Sequence, residues 1–332
     1  MIHQQRVKPA TAGLSFFLVA AVVIAVVPVS ADERGPFTLV ADEHGMILKT
    51  PDGRTVFRYM TKRPTPTELT ANSVCCLYPL KTPSGEDTVD FAPSDHRHHR
   101  GAFLTWHNLQ GKKAADFWGW GQFAPTKDRV IQNRGVKLVR TDAKCAEVSV
   151  QNDWIAEGDV LIAEDLAIKA REAKHAFVVD LDDRFTPTGD VTLGQSAFGG
   201  LCIKARKGGK AAYSDPKGEV TLASPHHLKP ETDWPAAAWY DYTTRLDGGK
   251  TLGVAVLDHP GNPPTAWHNV AAIAMVNPCI VAAGPVTIKQ GQSLRLRYRL
   301  VVHDGPPPTD LLQELVQEWR GRNGGYSSRG LK

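Results

Sequence analysis

The chain has 332 residues, 42% of them hydrophobic and 22% charged, with 39 basic against 35 acidic residues and a formal net charge of +4. So even a balance, with no Lys/Arg stripe interleaved with aromatics, excludes a nucleic-acid-binding surface. The length suffices for one large core or two smaller ones.

The chain opens on a targeting signal spanning residues 1–31. Arg6 and Lys8 form a positive n-region, Leu14 to Val27 is an apolar run of fourteen residues broken only by Ser15, and Val29-Ser30-Ala31 is a small-residue cleavage site. A spanning helix needs about twenty residues, so the run is short for an anchor; an uncleaved anchor is the alternative. Cleavage removes Arg6 and Lys8 and no acid, so 39 less two leaves 37 basic against 35 acidic residues, a net charge of about +2. The expected mature protein is exported to the periplasm or the medium, with no membrane contact once the signal is gone.

Residues 32–305 read as all-β. Phe37 to Val40, Met46 to Thr50 and Arg54 to Met60 are short runs separated by His44-Gly45 and Pro51-Asp52-Gly53, a meander of hairpins. Further strands are expected at Val136 to Thr141, Ala146 to Trp154, Val160 to Ala170, Ala176 to Phe185 and Val191 to Leu193. The last set comprises Leu201 to Ala205, Ala237 to Tyr242, Thr251 to Leu257 and Leu294 to Val302. Turn signals about every eight to twelve residues are the spacing of a large antiparallel sandwich. Two carboxylates, Glu164 and Asp165, interrupt an otherwise apolar strand, so one of them must point inward or into a cleft. In Leu294-Arg295-Leu296-Arg297-Tyr298-Arg299-Leu300 the arginines alternate with apolar residues and should face water.

Residues 306–332 form a helix and a flexible tail. Pro306-Pro307-Pro308 ends the β region, Thr309 or Asp310 caps, and Leu311, Leu312, Leu315, Val316 and Trp319 make an apolar stripe that Gly321 stops. Five cysteines, Cys75, Cys76, Cys145, Cys202 and Cys279, show no CxxC spacing; an oxidising destination permits one or two disulfides.

Two His-bearing segments carry the candidate chemistry. Asp95-His96-Arg97-His98-His99-Arg100-Gly101 concentrates imidazoles, guanidinia and a carboxylate at the start of an apolar run. If residues 96 to 104 are extended, alternation sends His96, His98 and Arg100 to one face and His99 to the other. That wall suits proton transfer, metal ligation or an anionic substrate. The second segment, Asp258-His259-Pro260-Gly261-Asn262-Pro263-Pro264-Thr265-Ala266-Trp267-His268, has three prolines that restrict its backbone and pre-organise its polar groups. A rigid polar loop with an indole suits a sugar, whose ring face stacks while its hydroxyls hydrogen-bond. The aromatic segments Phe117-Trp118-Gly119-Trp120 and Trp234 to Tyr242, with Trp239, can line the same cleft or fill the core. No GxSxG, P-loop, GxGxxG or HExxH is present.

The histidine-rich run, followed by Phe117-Trp118, resembles the N-terminal hallmark of a bacterial PmoA-like family of unknown function. Trp239-Tyr240-Asp241-Tyr242, Gly253 to Pro260, Pro264 to His268, Asn277-Pro278 and Leu296 to Gly305 follow its pattern in order, so the resemblance covers residues 37 to 320. The chain departs from that pattern at Phe198-Gly199-Gly200, where an acidic residue before a glycine is expected, and at Cys279-Ile280, where Phe-Gly is. The family label, methane oxygenase, implies a membrane copper enzyme with several spanning helices, and that activity is rejected here. What the resemblance implies is a secreted sandwich like the galactose-mutarotase supersandwich, although fold alone does not fix chemistry.

Three functions are open. The first is a carbohydrate-active hydrolase, lyase or epimerase without a cofactor, acting on a small sugar or an oligosaccharide. There His98 and His268 are acid and base, Glu164 a carboxylate partner, and Arg100 a clamp for an anionic sugar or a developing oxyanion. His96, His99, Asp258, His259, Asn262, Trp239 and Trp267 would contact substrate, with Trp267 as stacking platform. The second is a metalloprotein in which His96, His98 and His268 or His259 hold a divalent ion. The third is a non-catalytic sugar-binding module.

Overall fold

The computed structural model describes residues 1, 35–221 and 234–323, so the expected signal segment and the tail from residue 324 lie outside the described residues. Every strand pairing in the two large sheets is antiparallel. The smaller of the two has seven strands in the order Thr38–Ala41, Gly45–Lys49, Thr55–Met60, Leu77–Leu80, Ala102–Thr105, Gly200–Lys204, Met275–Val276. The larger has nine, in the order Gly218–Val220, Lys210–Asp215, Trp239–Arg245, Thr251–Asp258, Leu294–Asp304, Ala176–Pro187, Asp159–Ala173, Cys145–Ala156, Arg129–Thr141. Short strands Ala266–Trp267 and Pro278–Cys279 pair beside them. The protein is an all-β antiparallel sandwich with one C-terminal helix, and strands appear at every expected run from Phe37 to Val302.

Alternation explains the core. In Cys145–Ala156 the buried positions are Ala146, Val148, Val150, Asn152, Trp154 and Ala156, every second residue. Leu48, Phe57, Leu77 and Leu201 of the smaller sheet share one apolar cluster with Val148, Ile168, Val179 and Leu300 of the larger. Each such side chain contributes about 1.5–3 kcal/mol when buried. Alternation also separates the two carboxylates: Glu164 points into this core, while Asp165 turns outward and accepts a hydrogen bond from Gln151 at 2.9 Å.

The outer faces are covered as well. Ala176, Val178, Trp239, Ala255 and Val301 on the larger sheet pack against Leu311, Leu312, Leu315 and Trp319 of helix Thr309–Asn323. The helix runs past Gly321, the expected stop, to Asn323. A glycine costs a helix about 1 kcal/mol, which the packed apolar stripe more than offsets. The helix also corrects the reading of Arg299. This arginine is 1% exposed beneath the helix, hydrogen-bonded to Asp180 and Glu318, with its guanidinium 4.7 Å from the Trp319 ring centre. Arg295, nearer the strand start, faces outward and pairs with Asp182. The five cysteines form no disulfide with one another.

On the smaller sheet, Phe103, Cys202 and Met275 point away from the core and join Met60, Cys76 and Trp118 in a second apolar cluster. This bed carries the candidate site.

Candidate functional site

The histidine-rich run is a pair of turns instead of a strand. The His96 N–H donates to Pro93 O at 3.0 Å and the His99 N–H to His96 O at 2.9 Å, and the strand begins only at Ala102. The two-faced arrangement expected for an extended chain is therefore corrected, because consecutive turns wind the imidazoles together. Ring centres lie 4.6 Å apart for His98–His99, 4.9 Å for His96–His99 and 5.6 Å for His96–His98. The turns are anchored by Gly101, at φ +55°, where a β-carbon would lie 2.3 Å from Leu77 O. Only glycine fits that position.

These three imidazoles and His268 line one pocket of about 480 Å³. Trp118, Trp120 and Phe198 supply aromatic walls, Asp95 lies on its rim, and Val270, Ile273 and Met275 complete the lining. The His268 N–H donates to Asn277 O at 2.9 Å, which fixes the approach of this residue from the second segment. Asn277 also donates from Nδ2 to Gly199 O and Leu201 O, holding the Phe198-Gly199-Gly200 turn that presents Phe198. Phe198 thus occupies the position where the resemblance led to an acidic residue.

Burial keeps His96, His98 and His99 uncharged. It pushes His98 down to about 4 and His99 well below the usual histidine range, helped by the neighbouring imidazoles and by the charge of Arg100. His96 is lowered too, again mainly by desolvation. Neutral imidazoles offer one N–H donor and one acceptor nitrogen each, and Nδ1 of His96 and of His99 are buried without a hydrogen-bond partner. Asp95 is held in its charged form against the opposing effect of burial: Lys207 donates to it at 3.1 Å, and Lys204 Nζ lies 3.5 Å away.

Arg100 is fully buried beneath the cluster and does not line the pocket. Its guanidinium donates to the carbonyls of His98, Phe117 and Trp118 and sits 4.5 Å from the Phe103 ring centre. The expected substrate clamp is thereby corrected to a support. Glu164 is likewise inside the sandwich, where it accepts from Trp154 Nε1 at 2.5 Å and adjoins Asp183 in a small cavity of about 40 Å³. Its strand faces the core, so it stays remote from the imidazoles.

The loop from Asp258 divides between two sides. Asn262 donates to Asp258 at 2.7 Å and to Arg297 O at 2.8 Å, holding the loop to the adjacent strand. His259 Nδ1 accepts from Gly261 N–H at 2.8 Å, with its ring 4.8 Å from Trp319. Trp267 is 1% exposed and donates to Ala237 O, and Trp239 is equally buried under the helix. Asp258 and Trp267 border a separate cleft near Trp319, and burial raises Asp258 to about 6. Of the expected site residues, His96, His98, His99 and His268 come together; Arg100, Glu164, Asp258, His259, Asn262, Trp239 and Trp267 stand elsewhere, as core, support or loop scaffold.

Five pocket-lining residues were not among the candidates: Asp95, inside the conspicuous run, and Phe198, Val270, Ile273 and Met275, which carry no chemical signal and are brought here by the fold. Among the described residues, no group of three His, Cys, Asp or Glu side chains is arranged to hold a metal ion. Likewise no helix is long and apolar enough to cross a membrane.

No curated protein matches the sequence. Solved structures that match include a galactose mutarotase related enzyme from Lactobacillus acidophilus, at 8% identity and TM-score 0.36, over 80% of this chain and 97% of that one. A GalM/aldose epimerase homologue from C. elegans matches at 8% identity and TM-score 0.32, over 82% and 99%. A GH36 alpha-galactosidase from Geobacillus stearothermophilus, in complex with stachyose, matches at 8% identity and TM-score 0.39, over 81% of this chain. The present chain spans 39% of that enzyme. The description of the matching sequence family does not link it to PmoA. The family model of DUF6807, a family of unknown function, matches residues 49–317, and the chain belongs to that family.

Proposed function

We propose that the histidine pocket binds a carbohydrate and transfers protons on it, with His98 and His268 as the reacting pair. The observation that carries this reading is the meeting of four imidazoles with three aromatic rings on one open pocket of about 480 Å³. That volume lies in the ordinary range for small-molecule sites. Sugars present two surfaces at once: apolar ring faces that stack on indole or phenyl, and hydroxyls that both donate and accept. Trp120 and Phe198, backed by the buried Trp118, meet the first need, and the neutral His96, His98 and His99 meet the second. His98, kept unprotonated at neutral pH, is in the form a general base requires. Asp95 supplies the pocket carboxylate in the role first given to Glu164, and Arg100 supports the turn from below. Hydrolysis, elimination and epimerisation all begin with such a proton transfer. The reading includes export, which the N-terminal segment suggests, to a compartment where such sugars are met.

The test is a panel of neutral and acidic monosaccharides and their disaccharides, followed by calorimetry for binding and by proton NMR for products. Binding that weakens at least about tenfold in Trp120→Ala, with product lost in His98→Ala, is the expected result. Binding without product in the wild type would leave a sugar-binding protein. No saccharide bound at millimolar concentration would overturn the reading.

A further inference from the structure

We infer that the pocket continues beyond its mouth into an outer subsite on Trp120 and Phe123, which takes the second ring of a carbohydrate chain. The inference rests on the reading of the pocket as a sugar site and names its ligand more closely, as a chain of two or more rings.

Trp120 lines the pocket and is still 49% exposed, and Phe123 is 53% exposed. The other large hydrophobic side chains so exposed are Met1, Val40 and Val139, so this is the one place among the described residues where two aromatic rings face solvent. Both flank His107, with ring centres 6.3 Å from it for Trp120 and 5.1 Å for Phe123. His107 in turn stacks on Phe198, a wall of the pocket, at 4.4 Å and 19°. A chain of ring contacts therefore leads from Phe198 in the inner site, through the buried His107, to the exposed Trp120 and Phe123.

The loop that carries Trp120 is held in place. The Asp116 carboxylate accepts the backbone N–H groups of Gly119, Trp120 and Gly121, three bonds that fix the loop. Gly119, at φ +101°, packs so closely that a β-carbon would lie 2.6 Å from Ala71 Cβ. Exposing two aromatics, one of them on this fixed loop, costs solubility and apolar burial, a cost that a ligand face offsets. At the root of this platform, His107 is 1% exposed and neither of its ring nitrogens has a hydrogen-bond partner. Each such buried polar group calls for an explanation. These two exposed rings, tilted by 63° and 39° to His107, offer apolar faces to a pyranose ring joined to one already in the pocket.

The experiment is calorimetric titration of wild type, Trp120→Ala and Phe123→Ala with glucose, galactose, mannose and glucuronic acid. The monosaccharide that binds is then followed by its 1,2-, 1,3-, 1,4- and 1,6-linked disaccharides. Wild type should bind at least one disaccharide about three- to tenfold more tightly than the monosaccharide, the worth of one added ring contact. Phe123→Ala should lose that gain with monosaccharide affinity unchanged, and Trp120→Ala should weaken both. Both variants remove exposed groups, and unchanged melting temperatures will establish that they fold. Equal affinity for one ring and two in the wild type overturns the outer subsite and leaves the inner site standing. So does a Phe123→Ala variant that weakens the monosaccharide as much as the disaccharide. If no monosaccharide or disaccharide binds at all, the sugar reading itself falls, and the subsite with it.

Discussion

Trp267 and His268 are consecutive, yet they serve opposite faces of the structure. The Trp267 ring packs in the core at 4.9 Å from that of Tyr240, while His268 lines the imidazole pocket and its ring lies 5.8 Å from Phe198. The strand Ala266–Trp267 pairs with Pro278–Cys279, and the alternation of an extended backbone sends neighbours apart.

Trp267→Ala should therefore act on stability. Deleting a fully buried indole costs roughly 3–5 kcal/mol, and urea unfolding should show that loss. A stable variant with weakened ligand binding would contradict the placement of this ring.

His98→Ala and His268→Ala should lower turnover about 10²- to 10⁴-fold, the usual contribution of general acid/base groups. His98 leaves a partly exposed turn, so its melting temperature should move little. Binding to the wild type should persist from neutral pH to about 5 and fail toward pH 4, as the imidazole gains its proton. The sign follows from the depressed value: stability from this group is complete above the ordinary 6.5 and declines as pH falls toward 4. Proton NMR of the histidine ring signals against pH checks both.

Arg100 separates a support from a substrate clamp. Arg100→Ala leaves three carbonyls without their donor and opens a cavity, a loss of roughly 3–5 kcal/mol. Arg100→Met fills most of the volume and removes the charge. The His98 ring should then titrate at higher pH than in the wild type, since a neighbouring cation no longer opposes its protonation.

Glu164 and Asp183 form a buried acidic pair on adjacent strands, and burial raises Glu164 to about 7 and Asp183 well above the carboxylate range. Because the folded protein holds a proton that the unfolded chain releases near 4.5, this pair stabilises at low pH. That contribution is lost as pH rises toward 7. Glu164→Gln removes the ionisation, so the variant should gain on the wild type by on the order of 2 kcal/mol between pH 5 and 7.5. A difference in unfolding free energy that stays flat with pH would count against a shared proton.

The strands and the helix were legible locally. Period-two runs such as Ala146 to Trp154 and the Leu311–Trp319 stripe bury one face whatever surrounds them, so their type follows from pattern alone. Boundaries were less legible. Lys210–Asp215 and Met275–Val276 lack apolar alternation of their own and become strands by pairing with neighbours. The residue types of the pocket were also visible, since Asp95 to Arg100 and His268 stand out by composition.

What the sequence determined by itself was the inventory: an alternating β chain, an amphipathic helix, and two segments rich in imidazole. Tertiary structure decided the assignments within that inventory. It sent Glu164 inward and Asp165 outward, covered Arg299 with a helix, turned His96, His98 and His99 toward one another, and parted Trp267 from His268. The physical reason is that alternation fixes which side chains share a face, while the identity of that face, core or pocket, is set by partners distant in sequence. The apolar bed under the imidazoles comes from Phe103, Cys202 and Met275, three strands that meet only through long-range pairing. Their burial removes water from the rings, and that desolvation, more than any neighbouring residue in the run, keeps the histidines neutral.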